Sequence, residues 1–559
     1  MTKNVSEEVY KSDYLTPLQI WRDFDPQRDP LDFSVVSNED DGQFTKRLMY
    51  FTALSDEDGS VRACVKMVFP TAQKNKQKFV LFLPEIDNPS YDYEKNMLEM
   101  ASRDYTVAMV DLYGEGVFST KYSGSYSYGR VSAARGKFHN ATPNAFASPV
   151  FLWARILRRF LTVVETYFPK AKPICFAERS GNELLWQLVA MDNRIYGGMS
   201  VLGSGFSYFL GASFKEDPYD DNFHKWEMAL SPQAYVRFVV CPVLLVTAAN
   251  NPSSEFDRLD SIVKLLPEKS LCSTIVANRL SNQITETVYN SMWRWVEGRY
   301  SARKEIPRRP DITYNVGEKD GKLTFNVVPD ESDKKAHLVS LYFSYDEPNP
   351  EYRNWHCIAG KNEDDYNFEI KVCETDRVVY AYANVLYRDG VEIASTPIMV
   401  ELDYEKVART RLTPIKLLYD TSMENCFVAE TTGDVVLGDE VLSIKKSQNG
   451  VPGISVSEGK LVGYNVGETR RLDTDGNLQI SAYSLVDKEI TVRITVDRDG
   501  FKQYSATCKL ASDVNWQKII LTPMDLRDEA KISMESWDDM KKIEFLNAEG
   551  VLFNNMLWI

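Results

Sequence analysis

The stretch KPICFAERSGNELLWQLVAMDNRI, residues 172 to 195, reads as a strand, a sharp turn and a helix. Turns of this kind often lift a serine nucleophile above the end of a sheet. Here the apex reads as arginine. A guanidinium stays protonated and has no lone pair with which to attack. A hydroxyl nucleophile also needs a base beside it. The chain has only 4 histidines, His139, His224, His337 and His356. Spacing alone leaves two readings of this turn open, a displaced nucleophile or a lost one.

The elements around the turn define what must position it. KFVLFLP (78–84) and YTVAMVDLYGEG (105–116) are apolar strands, the second ending in a glycine-punctuated loop. SPVFLWARILRRFLTVVETYF (148–168) carries apolar residues at helical spacing, with Ser148 as N-cap and Pro149 at the first helical position. GGMSVLGS and CPVLLVTAA are further strands, and TVYNSMWRWVEGRY an amphipathic helix. From about residue 51 to 299 this alternation predicts a mostly parallel sheet covered by helices on both faces. SARKEIPRRPDI (301–312) is basic, proline-containing and linker-like. Beyond it the period becomes two: KLTFNVV, HLVSLYFSY, NFEIKVC, VVYAYANVLY and IMVEL predict an immunoglobulin- or fibronectin-like sandwich. Further short strands after about residue 407 predict a jelly roll or second sandwich. The expected domains are 1–302, 303–404 and 405–559.

Bulk composition narrows the partners. At 559 residues the chain is too long for one core, and length suggests roughly three or four domains. Apolar content of 44% and charged content of 26% are those of globular protein. The net charge of −15 disfavours nucleic acid and anionic membrane as partners. The first residues lack the apolar core of a signal peptide, and no apolar run reaches the roughly 20 residues of a membrane span. The 8 cysteines are scattered without a CxxC pair. They read as free thiols in a reducing compartment, and the expected location is cytoplasmic.

The first 300 residues or so resemble an α/β-hydrolase, most closely the acetyl xylan esterase, cephalosporin-C deacetylase and dienelactone hydrolase branch. The resemblance rests on element order, the VDLYGEG loop, the strand–turn–helix, the DNR after that helix, and CPVLLVTA. It implies a Ser–His–acid esterase, and the family's positions depart from that pattern one by one. The elbow needs small residues two before and two after the nucleophile. Placing the apex at Ser180 puts Glu178 and Asn182 there; placing it at Glu178 puts Phe176 and Ser180 there. Only Arg179, flanked by Ala177 and Gly181, satisfies both. The family's acid falls at Asn250, which keeps the shape of aspartate without its charge. The loop that should carry histidine, VANRLSNQITET, offers Asn282 instead, and no histidine lies between His224 and the end of the domain. The family's oxyanion loop reads LFLPEIDNPS, so Glu85 faces the place where negative charge would develop.

The resulting expectation is an esterase-like pseudoenzyme with a binding or scaffolding role, glycans being one candidate ligand, and with no cofactor and no metal. The alternative is an active carbohydrate esterase with an unconventional site. For that alternative, Ser180, Ser200, Ser204 or Ser207 would work with His139 or His224, or Glu178 would attack directly. Arg179, Ser180 and Glu85 are candidate ligand contacts. Arg179 either holds a carboxylate or phosphate at the helix N-terminus or pairs internally with Glu178, Glu85 or Asp111. In the C-terminal region, which resembles galactose-binding-like jelly rolls, Trp516, Trp537 and Trp558 either stack on sugar rings or belong to the core. DTDGN (473–477) reads as a hairpin turn rather than a calcium loop. His356 reads as a strand or surface residue. Oligomeric state is not encoded in any pattern found.

Overall fold

The computed structural model describes residues 13–86, 93–135, 137–203, 221–251, 256–267, 272–277, 283–301, 305–317, 321–332, 334–353, 355–360, 366–373, 376–403, 407–409, 417–423, 426–430, 436–437, 441–464, 476–497 and 500–559. It divides into two compact units. The first comprises residues 1–247, 253–273 and 292–306, and the second 248–252, 274–291 and 307–559.

A ten-stranded sheet organises the N-terminal region. Its strands are β1 (Ser34–Asp40), β2 (Phe44–Asp56), β3 (Gly59–Pro70), β4 (Lys78–Leu83), β5 (Thr106–Asp111), β6 (Lys121–Tyr122), β7 (Lys172–Glu178), β8 (Gly197–Val201), β9 (Val243–Ala248) and β10 (Cys272–Ala277). The order is β1-β2-β3-β5-β4-β7-β8-β9-β10, with β6 on β3, and β10 straddles the two units. Strands β5, β4, β7, β8 and β9 pair in parallel, whereas β1, β2 and β3 join antiparallel. Helices α1 (Pro17–Trp21), α2 (Tyr93–Ser102), α3 (Pro149–Tyr167), α4 (Asn182–Met191), α5 (Asp221–Ala229) and α6 (Glu286–Tyr300) accompany it. This is the α/β-hydrolase fold class.

The parallel strands are near-continuous apolar runs because both faces are buried: β5, β8 and β9 have no exposed residue. Sequence pattern located them, with GGMSVLGS (197–204) running three residues past the end of β8. It did not separate β1 to β3. Strand β1 is almost wholly exposed and β2 mixes buried with half-buried positions, so neither shows the apolar run of a central strand. Helix α3 begins as expected, with Ser148 extended at the N-cap and Pro149 at N1, although the serine hydroxyl makes no capping bond.

The second unit is mostly antiparallel; one short parallel pair joins Gln283–Ile284 to Val436–Leu437. Strands Asp311–Gly317, Lys322–Val328 and Asn367–Lys371 form one sheet, and a five-stranded sheet centres on Ala336–Tyr345 and Val378–Tyr387. The last region is a six-stranded and a five-stranded sheet sharing one core. Phe545 and Phe553 meet across that core with ring centroids 4.4 Å apart. The two sandwiches touch through Tyr352 and Phe501, 4.9 Å between centroids, and through Lys541 Nζ and Glu347 Oε2 at 2.7 Å. Among the described residues, no helix is long and apolar enough to cross a membrane.

Candidate functional site

The turn after β7 is built as the small-residue pattern requires. Leu83 of β4 pairs with Ala177 of β7, so the end of β4 lies against the turn. A Cβ on Gly181 would sit 2.3 Å from the Leu83 carbonyl oxygen and 2.6 Å from that of Pro84. Only glycine fits there. Arg179 itself has φ +46°, the left-handed region that costs an ordinary residue about 1–2 kcal/mol. Surrounding contacts hold it there. Asn182 Nδ2 donates to the Arg179 carbonyl at 2.9 Å and to the Val201 carbonyl at 3.0 Å. The strained apex of the elbow is therefore an arginine.

Its charge is answered locally. Arg179 Nη1 lies 3.2 Å from Glu85 Oε2, and both side chains are about a quarter exposed. Of the three carboxylates expected as partners, Asp111 is committed elsewhere. It is buried and accepts from the backbone N–H of Thr120 at 2.7 Å and of Tyr113 and Gly114 at 3.3 Å, fixing the loop after β5. Glu178 precedes the apex. Burial pushes its carboxyl up to about 7; Arg179 pulls it down and Glu85 pushes it further up. Two carboxylates thus share one guanidinium, and the inner one titrates near neutrality.

The turn after β4 is pinned from two sides. The Glu85 carbonyl accepts from the hydroxyls of Tyr93 and Tyr113, each at 2.8 Å, with the two hydroxyl oxygens 3.2 Å apart. Burial, then the hydrogen bond to Tyr113, drives the Tyr93 hydroxyl far above its ordinary pKa, so it stays protonated. The Ile86 N–H donates to Ser180 Oγ at 2.8 Å. In an elbow of this type, the N–H groups after the apex and after this strand would stabilise an oxyanion. Here one of them is already taken by a side chain.

The remaining expected residues are dispersed. Asn250, in the second unit, donates from Nδ2 to the carbonyls of Pro350 at 2.7 Å and Arg353 at 2.8 Å. It works as a structural amide tying down the 347–353 loop. Asn282, Ser204 and Ser207 lie outside the described residues. Ser200 is buried and donates to the Gly203 carbonyl, closing a turn. His224 Nδ1 is 3.9 Å from Glu227 Oε2 on α5. His139 Nε2 is 2.8 Å from Glu183 Oε1, in the first turn of α4, and its ring meets Trp226 edge-on at 4.7 Å. His356 lies on a strand and stacks on Phe343 at 5.2 Å.

The aromatic candidates divide. Trp537 and Trp558 are core residues, and the sugar-stacking expectation for them is corrected. Trp537 has no exposed surface, donates Nε1 to the Gly476 carbonyl at 2.9 Å and packs against Trp558 at 4.9 Å. The two complete the apolar core between the last two sheets. Trp516 is half-buried beside Tyr483, over the space left by Gly453. Residues 473–475 of the DTDGN turn are outside the described part. Among the described residues, no cluster of His, Cys, Asp and Glu is arranged to hold a metal ion.

Sequence reasoning missed Tyr93, Tyr113 and the His139–Glu183 pair. Tyr113 sits within the VDLYGEG loop, which was a usable signal for that residue. Nothing in local spacing marks the other two: Tyr93 reaches the Glu85 carbonyl from 8 positions away, and His139 reaches Glu183 across 44.

No family model matches the chain, and no curated protein matches it. Similar solved structures include acetyl xylan esterase 1 from Thermoanaerobacterium sp. JW/SL YS485, at 13% identity and TM-score 0.37, covering 53% of this chain and 98% of that one. Acetyl xylan esterase from Paenibacillus sp. R4 is similar at 12% identity and TM-score 0.38, covering 53% and 99%. An acylaminoacyl peptidase from Pyrococcus horikoshii is similar at 16% identity and TM-score 0.30, covering 43% and 37%. The activities in those names belong to those proteins. The fold class of this chain rests on its own strand order and directions.

Proposed function

We propose that this chain is a catalytically inactive α/β-hydrolase-fold protein with a binding or scaffolding role. The observation that carries the reading is the occupied elbow: Arg179 at the apex meets Glu85, and Ser180 Oγ takes the Ile86 N–H. An acyl-transfer site needs a lone pair at the apex and free donors for the oxyanion. This elbow offers a cation at the first place and a hydroxyl cap at one of the second. The family's acid position, Asn250, is uncharged and engaged with two carbonyls.

The working division into 1–302, 303–404 and 405–559 belongs to this proposal, as does a reducing, cytoplasmic setting, supported by eight free cysteines. Glycans remain the candidate ligand class, with half-exposed Trp516 as the aromatic contact. A glycan array probed with the intact chain and with Trp516→Ala tests this. Sugar binding that survives the substitution would remove Trp516 from the proposal.

A second reading, an active carbohydrate esterase with a non-standard site, is favoured by one observation. The imidazole of His139 contacts a carboxylate one turn past the apex. A chromogenic acetate ester and a serine-reactive fluorophosphonate separate the readings. The inactive protein gives neither turnover nor labelling. Turnover abolished by Ser180→Ala or His139→Ala, and untouched by Arg179→Ala, would establish the second reading and end the first.

A further inference from the structure

The first unit contains a cavity of about 190 Å³ lined by none of the elbow residues. One wall is the end of α1 and the turn behind it. The other is one face of α3, where Phe151, Arg155 and Arg159 follow each other at four-residue spacing.

The wall is held by a buried cation. Arg159 is 2% exposed. It donates Nε to the Ala53 carbonyl at 3.1 Å and Nη2 to the carbonyls of Asp29 at 2.8 Å, Pro30 at 3.3 Å and Thr52 at 3.3 Å. Its Nη1 donates to the Pro26 carbonyl. With its donors committed to backbone, Arg159 fixes the turn and leaves ligand contact to its neighbours. Arg28 is likewise paired with Asp29, at 3.1 and 3.3 Å.

Asp25, exposed at the rim, and Arg155, half-buried on α3, supply charges of opposite sign to the cavity, which Asp23 also lines. Asp25 uses Oδ1 on the Gln27 N–H at 2.8 Å, which leaves Oδ2. The Arg155 guanidinium carbon lies 5.5 Å from the Phe24 ring centroid and 5.8 Å from that of Phe151. The guanidinium also hydrogen-bonds the Tyr126 hydroxyl and lies near Asp56, which leaves its other N–H groups for a ligand. A guanidinium set against ring faces keeps N–H edges for a planar anion.

Size and charge then select the ligand. The volume is below the roughly 300–1,000 Å³ of pockets for drug-sized ligands and cofactors, so the guest is a single small molecule. A simple anion would face the Asp25 carboxylate, and a simple cation would face Arg155. An apolar guest would pair neither charge. A guest carrying both signs and an apolar tail satisfies all walls at once.

We propose that this cavity binds a free α-amino acid with an apolar side chain. Its carboxylate meets Arg155, its ammonium meets Asp25, and its side chain lies against Phe24 and Phe151. Isothermal titration of the intact chain with L-leucine and L-phenylalanine tests this. 4-Methylpentanoate serves as the leucine analogue without the ammonium, and 3-methylbutylamine as the analogue without the carboxylate. A saturable signal is expected for at least one amino acid, with each leucine analogue at least about tenfold weaker than leucine, or undetected, since a charge-assisted hydrogen bond is lost. Arg155→Gln and Asp25→Asn should weaken the amino acid by a similar factor. Absence of saturable binding of both amino acids up to about 10 mM, where even affinities weaker than millimolar would register, overturns the proposal. So does an analogue that binds as tightly as leucine, or unchanged binding in a folded Arg155→Gln protein. If that variant fails to fold by circular dichroism, the titrations on the unsubstituted chain decide alone.

Discussion

The elbow of the first unit and the ion network of the last sandwich both place carboxylates and cations in poorly solvated surroundings, with opposite balance. In the sandwich, Glu544 is 1% exposed. Its Oε1 meets Lys460 and, at 3.5 Å, Lys542, while Lys460 Nζ also reaches Glu430 Oε2 at 2.7 Å. Among the described residues, two acids face two ammonium groups across three adjacent strands. Burial pulls the Lys460 ammonium down, but Glu430 and Glu544 together lift it above its ordinary value. At the elbow, among the described residues, Glu85 and Glu178 both face Arg179, and burial leaves Glu178 poised near 7. The contrast teaches that a balanced buried network is a structural device, fixed in one charge state. An unbalanced one responds to pH in the physiological range, whether or not it performs chemistry.

Four experiments break or sharpen this contrast. The largest effect is expected in the network. Glu544→Ala leaves buried ammonium groups short of a partner, and about 3–5 kcal/mol should be lost from the second unit's urea transition. The double variant Lys460→Met/Glu544→Leu should recover most of that loss. If Glu544→Ala costs nothing, the network contributes no stability. Next comes Gly181→Ala, whose methyl would meet two backbone carbonyls at 2.3 and 2.6 Å. A loss of about 2–3 kcal/mol in thermal unfolding of the first unit is expected, and a neutral result would show that the elbow relaxes easily.

Glu178 supplies the third. Its folded carboxyl is raised above its unfolded value, so the protonated form favours the native state. That contribution is fully present below about 4.5 and is lost as pH rises through about 7. Glu178→Gln should therefore unfold later than the unsubstituted protein above pH 7, by about 2 kcal/mol, with the gap closing toward pH 5. A gap independent of pH would mean that Glu178 is ionised throughout. The smallest effect is Ser180→Ala, which removes the acceptor from the Ile86 N–H and should cost about 1 kcal/mol in the same melts. A stabilised variant would show that water replaces the hydroxyl without loss.

Much of the scaffold was legible because the relevant signals are local. β4, β5, β7, β8 and β9 are apolar runs, and α4 runs from Asn182 to Met191 as its pattern indicates. The antiparallel β1 and β2 were not separated, because the edge strand β1 is almost wholly exposed and β2 mixes buried with half-buried positions, so neither leaves a strong pattern. At the site, Arg179 was placed at the apex and Glu85 named among its partners. The roles of Tyr93, Tyr113 and the Ile86 N–H were not, since none depends on a neighbour in sequence. Trp537 shows the same limit from the other side. A tryptophan in a short strand reads alike whether it faces solvent or core, and only the packing of the two last sheets put it inside.

What the sequence alone determined is the identity of the apex. A turn too tight for a large side chain two residues before or after its apex accepts Ala177 and Gly181, and that constraint is written in the alternate positions 177, 179 and 181. What the tertiary structure decided is how the apex charge is answered. Glu85 meets Arg179, and Ile86 meets Ser180, because β4 lies beside β7 in the sheet, although each of these contacts joins residues 94 positions apart in the sequence. Strand order is set by burial across the whole sheet, and no local pattern records it.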